Sequence, residues 1–181
     1  MATEFVDGID WFYQTRGEGD PLVFLHGWGA DSRVWRQQVP FFSEGHRTIV
    51  IDLPGHGQSP WKEITIDEMA QSLLCLLRKI SPSPVSLVGS SLGGVLAIKV
   101  FGHGPDFVRS LTLTGSQPRF LRNEDYPYGL SERQILRLAR QLEQNYEKAI
   151  DRFFVSLFTR HERESLLFRW MRRFKRSEGF P

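Results

Sequence analysis

A single cysteine, Cys75, in 181 residues excludes an internal disulfide and any cysteine-cluster metal site. Long hydrophobic runs are also missing, since no apolar stretch reaches the ~20 residues that span a bilayer. The opening MATEFVDGID carries acids where a signal peptide has a basic stretch and then an apolar run. A cytoplasmic protein without a membrane partner is therefore expected. Charge of one sign is equally scarce: 23 basic and 21 acidic residues leave +2, so no nucleic-acid partner is expected, because a phosphate array calls for a strongly basic face. No His/Asp/Glu group shows ligand spacing, which implies no metal and no organic cofactor. Internal repeats and low-complexity tracts are absent too. What is present, 40% hydrophobic and 24% charged residues, suits one globular domain with a real core and room for an appendage.

The two parts of the chain differ in character. Up to residue 130 there are 11 basic and 14 acidic residues, net −3, and beyond it 12 and 7, net +5. The first part alternates β-rich runs with helical patterns: EFVDGIDWFYQ, PLVFLHG, HRTIVIDLPG, SPVSLVG and VRSLTLTG. Short, β-branched apolar runs bounded by Gly, Pro and Asp have the pattern of strands buried on both faces. Helices are expected at Ser32–Ser43, Ile66–Ile80 and Leu92–Phe101. Strands alternating with helices imply an α/β fold with a mostly parallel sheet and helices on both faces, since parallel neighbours need crossover connections. After Gly115 the β signal stops, and a turn-rich linker, SQPRFLRNEDYPYG, leads into a helical stretch. Ser131 and Gln134 form a capping box there. Leu136, Ala139, Leu142, Tyr146, Ile150, Phe153, Phe154 and Leu157 recur at spacings of three and four, which predicts one amphipathic helix of about seven turns.

The chemistry lies in three short motifs. Gly89-Ser90-Ser91-Leu92-Gly93 fits G-x-S-x-G, directly after the strand PVSLV and directly before a helix. The string alone is a weak signal in a chain rich in Gly and Ser, and its strand-to-helix context is what gives it force. A serine nucleophile at a strained turn needs small neighbours, because the helix must pass close to adjacent strands. The helix beginning there also aims unpaired N–H groups at developing negative charge. The second motif, His26-Gly27-Trp28-Gly29, ends another strand. A tetrahedral acyl intermediate needs two donors on its oxyanion, and the backbone N–H groups of Leu92 and Trp28 are the candidates. His26 is read as a hydrogen-bonding residue of this loop rather than a proton carrier. In the third motif, Asp52-Leu53-Pro54-Gly55-His56-Gly57-Gln58-Ser59, glycines allow a tight loop and Asp52 and Ser59 can bond its backbone. His56 is assigned no catalytic role.

These motifs in this order, HGWG, DLPGHGQS and GSSLGG, resemble the α/β-hydrolase superfamily over residues from about 5 to 115. Within it the chain is similar to the esterases that act on the methyl ester of pimeloyl-acyl carrier protein in biotin synthesis. That second resemblance rests on LHGWGADSRVW, GSSLGG followed by VRSLTLTGSQPRF, and RQLEQNYEKAIDRFF. It implies a hydrolase core over residues 1–120 and a helical lid over 121–181. It also implies a serine carboxylesterase with Ser91 as nucleophile and Trp28 and Leu92 flanking the ester. Phe153, Phe154, Val155, Ser156 and Leu157 would then be the lid strip lining the acyl channel. The basic residues Lys148, Arg152, Arg163, Arg169, Arg172 and Arg173 crowd the same part of the chain, and an acidic acyl carrier protein would be steered by them, with Lys148, Arg152 and Arg169 as the candidate contacts. The structural alternative, aromatic core and a solvated arginine face, stays open for each of these side chains.

A serine nucleophile needs a histidine to take its proton and an acid to orient that histidine. In this fold the order is Ser, acid, His, each after a later strand. Only His103 and His161 follow Ser91, the first about 17 Å away along its helix at 1.5 Å per residue and the second in the lid segment. No triad acid or base is found, and the last strands of the fold are expected to be missing. Three alternatives follow: a truncated hydrolase, a chain completed by a second polypeptide, or a pseudoenzyme that binds without turnover.

Overall fold

The computed structural model describes residues 1–166, 168 and 169. The chain divides into two compact units, Met1–Pro118 and Arg119–Pro181. The first holds a six-stranded sheet in the order β1-β2-β4-β3-β5-β6, with β1 Ala2–Val6, β2 Ile9–Arg16, β3 Asp20–Leu25, β4 His46–Ile51, β5 Val85–Ser90 and β6 Val108–Thr114. Strands β4, β3, β5 and β6 run parallel, whereas β1 and β2 form an antiparallel hairpin that joins β4. The hairpin turn is Asp7-Gly8, with φ of 50° and 79°. Two positive φ values in a two-residue loop match the right-handed twist of the strands it joins.

Alternation along the central strands sorts the core onto the two faces. Val23, Leu25, Ile49, Ile51, Val85 and Leu87 point to one side and pack with the helices α2, Ile66–Ile80, and α3, Leu92–His103. Leu22, Phe24 and Val50 point to the other, where they meet Trp35, Val39 and Phe42. A period of two in the side chains lets each strand serve both layers. Helix α2 starts at a capping box formed by Thr65 and Glu68.

The helix expected over Ser32–Ser43 is not continuous. It is a 3-10 turn, Ser32–Trp35, and a short α1, Gln38–Phe42. Asp31 caps the first piece through Arg33 N. Pro40 is tolerated in the second because it falls within the first turn, where no N–H is needed, so the helix has to restart just before it.

The second unit contains α4, Glu132–Gln144, and α5, Tyr146–Ser156. The capping box of Ser131 and Gln134 opens α4. The single seven-turn helix predicted from spacing is corrected here: Asn145, at φ −162° and ψ 93°, breaks it and caps α5 by accepting from Lys148 N at 2.9 Å. Asn competes well with helix continuation because its amide satisfies the orphan N–H groups of the next turn. Among the described residues no helix is long and apolar enough to cross a membrane.

Candidate active site

Leu25, Ile51 and Gly89 lie in register across β4, β3 and β5. The loops that follow them, carrying HGWG, DLPGHGQS and Ser91, therefore emerge together at the C-terminal edge of the parallel strands. That edge is where open α/β sheets bind ligands.

Ser91 is the N-cap of α3, with φ 51° and ψ −113°. Among the described residues only Asp7 and Ser91 are non-glycine residues at positive φ. The strain is held from three directions. Ser91 N donates to Thr114 O of β6 at 3.0 Å, while Ser91 O accepts from Gly94 N at 3.0 Å and Val95 N at 3.2 Å. Close approach explains the surrounding glycines. A Cβ on Gly89 would meet Gly94 Cα at 2.5 Å, and one on Gly93 would meet Leu25 O and lie 2.6 Å from His26 O. Such persistence of an unfavourable backbone conformation is characteristic of functional sites. As the first residues of α3, Leu92 and Gly93 have N–H groups with no acceptor inside the helix.

The HGWG loop touches the serine directly. A Cβ on Gly27 would lie 3.2 Å from Ser91 Cβ and 3.8 Å from Ser91 Oγ. Ala30 N donates to Gly27 O at 3.3 Å, closing the turn around Trp28. Trp28, Ser91 and Leu92 are half-buried. Ser91 and Leu92 thus begin α3 while the turn that carries Trp28 abuts the Ser91 side chain.

Two histidines tie the first and third motifs together. His26 is fully buried; its Nε2 accepts from Leu53 N at 3.0 Å and its Nδ1 faces Gly27 O at 2.8 Å. Accepting at Nε2 requires the neutral ring with its proton on Nδ1. Burial pushes its pKa down to about 4, against a smaller upward pull from the Gly27 hydrogen bond. The ring of His56 lies 5.2 Å away. Its Nε2 accepts from Gly29 N at 3.2 Å, and its Nδ1 lies 3.0 Å from Pro54 O. Asp52, also buried, accepts from Ser32 N at 2.7 Å and Gln58 N at 2.9 Å. Ser59 Oγ donates to Asp52 O at 2.7 Å and accepts from Phe12 N. Asp31 would be raised by burial, but its bonds from the side chain and backbone of Arg33 hold it below the usual carboxylate range. His103, at the far end of α3, faces Asp67 at 3.3 Å. Sequence reasoning did not find the contributions of Thr114 and Ser116, the latter packed against Gly94. Their only signal was position, directly after a strand that neighbours the serine's own.

In the second unit the Phe154 ring stacks near Phe168 at 6.0 Å and meets Phe158 at 5.1 Å. Phe153 and Val155 are half-buried, and Ser156 and Leu157 are exposed. Lys148, Arg152, Arg163 and Arg169 are exposed; Arg172 and Arg173 lie outside the described residues.

A strained serine between a parallel strand and a helix, beside a glycine-rich loop from the neighbouring strand, defines a class. A family model described as the alpha/beta hydrolase fold matches residues 20–179, and the chain belongs to that family. It is similar to the pimeloyl-[acyl-carrier protein] methyl ester esterase of Nitrosomonas europaea, at 32% identity over 160 residues that cover 88% of this chain and 62% of that protein. Among solved structures it is similar to bromoperoxidase from Bacillus anthracis, with a TM-score of 0.80, 29% identity, and coverage of 94% of this chain and 66% of that one. An esterase from Exiguobacterium antarcticum gives a TM-score of 0.77 at 30% identity, covering 82% of this chain and 57% of that one. The chain spans little more than half the length of the curated relatives it matches.

Proposed function

We propose that this chain carries the nucleophile half of a serine carboxylesterase whose substrate is a carboxylic methyl ester, that of pimeloyl-acyl carrier protein in biotin synthesis. The observation that carries the proposal is Ser91 at φ 51° between β5 and α3. A hydroxyl presented on such a turn stands clear of the sheet, with helix N–H groups behind it. In this mechanism Ser91 Oγ attacks the ester carbonyl and the carbonyl electron pair moves to oxygen. The oxyanion is met by the N–H groups of Leu92 and Trp28, methanol leaves, and water then releases the acid and restores the serine. The proton taken from Ser91 needs a base. His26 and His56 are both committed to backbone hydrogen bonds and do not serve, so in the working esterase the Ser91 proton passes to a base outside these motifs and from it to the departing methoxide.

The identity of the ester rests on the named relatives and on the second unit. Phe153, Phe154 and Leu157 supply an apolar strip suited to a methylene chain, and the resemblance adds Val155 and Ser156 to the residues lining it. Lys148 and Arg152, one helical turn apart on α5, and Arg169 are exposed and are the basic contacts offered to an acidic carrier protein. Residues 1–120 act as the hydrolase core and 121–181 as its lid. Reaction with a fluorophosphonate followed by peptide mapping tests the core claim: a slow label on Ser91, faster than on any other serine because the oxyanion donors act without the base and abolished by Ser91→Ala, is expected, and a protein that takes no label overturns it. Turnover of the carrier-bound ester falling at least about tenfold in an Arg152→Glu, Arg169→Glu protein, with turnover of a small free ester unchanged, would identify the docking face.

A second reading, a binding module without chemistry, is favoured by the engagement of His26, His56 and His103 in other contacts. Carrier protein bound tightly while its ester survives intact selects that reading.

A further inference from the structure

We propose that His56 is a positioning residue for the oxyanion loop: its neutral imidazole holds the Gly29 N–H, and thereby sets the backbone of Trp28 beside Ser91. This rests on the reading of Ser91 as a nucleophile and adds to it a residue to which sequence gave no catalytic part. The Nε2 of His56 accepts from Gly29 N at 3.2 Å, while Nδ1 stands 3.0 Å from Pro54 O as its donor. One tautomer satisfies both bonds, so the ring is a rigid strut between the two loops.

The strut acts where it matters for an oxyanion. The Gly27–Ala30 turn is closed by Ala30 N on Gly27 O, and its Gly27 end faces the Ser91 side chain, so closely that an added Cβ would come within 3.2 Å of Ser91 Cβ. His56 grips the other end at Gly29. Trp28 lies between, and with Gly27 O held by Ala30 N and Gly29 N held by His56, its two soft dihedrals are left little room to turn the Trp28 N–H away from Ser91. Holding the two segments together does not by itself require His56, because His26 of the first already accepts from Leu53 N of the third motif, and Asp52 accepts from Ser32 N. The His56 bond is left with the orientation of Gly29, whose φ of 68° lets the loop turn in more than one way unless something fixes it.

The test compares His56→Phe, which keeps a ring but removes the acceptor, with His56→Gln, which restores an acceptor near the Nε2 position. His56→Ala removes the same acceptor if Phe is too large to fold. With a fluorophosphonate whose phosphonyl oxygen occupies the oxyanion site, the maximal rate of Ser91 modification is expected to fall about 10- to 30-fold in the Phe or Ala protein, less than the loss of a whole donor. The half-saturating concentration should stay within about twofold, and Gln should recover most of the rate. Equal losses in Phe, Ala and Gln, or no loss in Phe and Ala, overturn the proposal. The Gly29 amide resonance gives a readout independent of catalysis: it should shift in the Phe and Ala proteins and return in Gln. If wild-type protein takes no label, the esterase reading fails, and an unmoved Gly29 amide would still sink the His56 assignment separately.

Discussion

A methyl group on Gly93 would press into Leu25 O and sit 2.6 Å from His26 O, whereas one on Gly102 meets nothing within 4 Å. Backbone carbonyls of a central strand cannot yield, so Gly93→Ala should lower the unfolding free energy by about 3 kcal/mol, the upper end for overpacking. Gly102→Ala, in the same helix, should raise it by about 0.5 kcal/mol by removing backbone freedom from the unfolded chain. Urea midpoints of the two variants read this contrast directly. His26 offers a second test. Its folded pKa of about 4 lies below the ordinary 6.5, so the unfolded chain binds the proton first as pH falls. The associated stability is complete above pH 6.5 and is lost as pH drops through 4, about 3 kcal/mol in all. His26→Asn should flatten the dependence of the urea midpoint on pH in that window, and an unchanged slope would show that other groups carry it. The serine and its glycines were legible in the sequence because a strained turn needs small residues at fixed short offsets. The cross-bracing of His26 to Leu53 and His56 to Gly29 was not legible, because those partners are 27 residues apart and meet only through strand register.

At the scale of elements, what misled sequence reading is itself informative. Apolar spacing of three and four continues from Leu136 through Leu157 without a fault, yet the chain leaves the helix at Asn145 and starts again. Periodicity reports which face is apolar and is blind to a break that preserves the phase. The Asn145 side chain makes the break worthwhile by accepting from Lys148 N at 2.9 Å. Asn145→Ala should cost α5 about 1 kcal/mol, read as faster amide exchange over residues 146–150 with the exchange of α4 unchanged. Equal protection in the variant would mean that packing alone starts α5. The β1–β2 hairpin was within reach of the sequence, since Asp-Gly between β-rich runs is a strong hairpin signal. The parallel strands were readable for a different reason: their uninterrupted apolar runs serve both faces at once.

At the scale of the whole sheet, the pattern of burial changes sharply from centre to edge. Strands β3 and β4 are buried along most of their length, whereas β6 is buried at Val108 and largely exposed beyond it. β6 is nevertheless essential to the site, because Thr114 O accepts the Ser91 N–H. Among the described residues β6 pairs only with β5, so its other edge presents backbone N–H and C=O groups next to Leu113, which is 44% exposed. An edge strand with exposed apolar side chains and a single basic residue, Arg109, is a template for pairing with another strand. The 181-residue polypeptide should therefore self-associate with rising concentration in sedimentation experiments. Thr112→Lys places a charge on an exposed edge position without touching the core. It should weaken association at least about tenfold, while the unfolding free energy read from urea melts changes by no more than about 0.5 kcal/mol, as for other surface substitutions. Wild-type protein that stays monomeric at every concentration would overturn this reading of the β6 edge, and the Ser91 N–H bond to Thr114 O, made on the other side of β6, should be unaffected by either outcome.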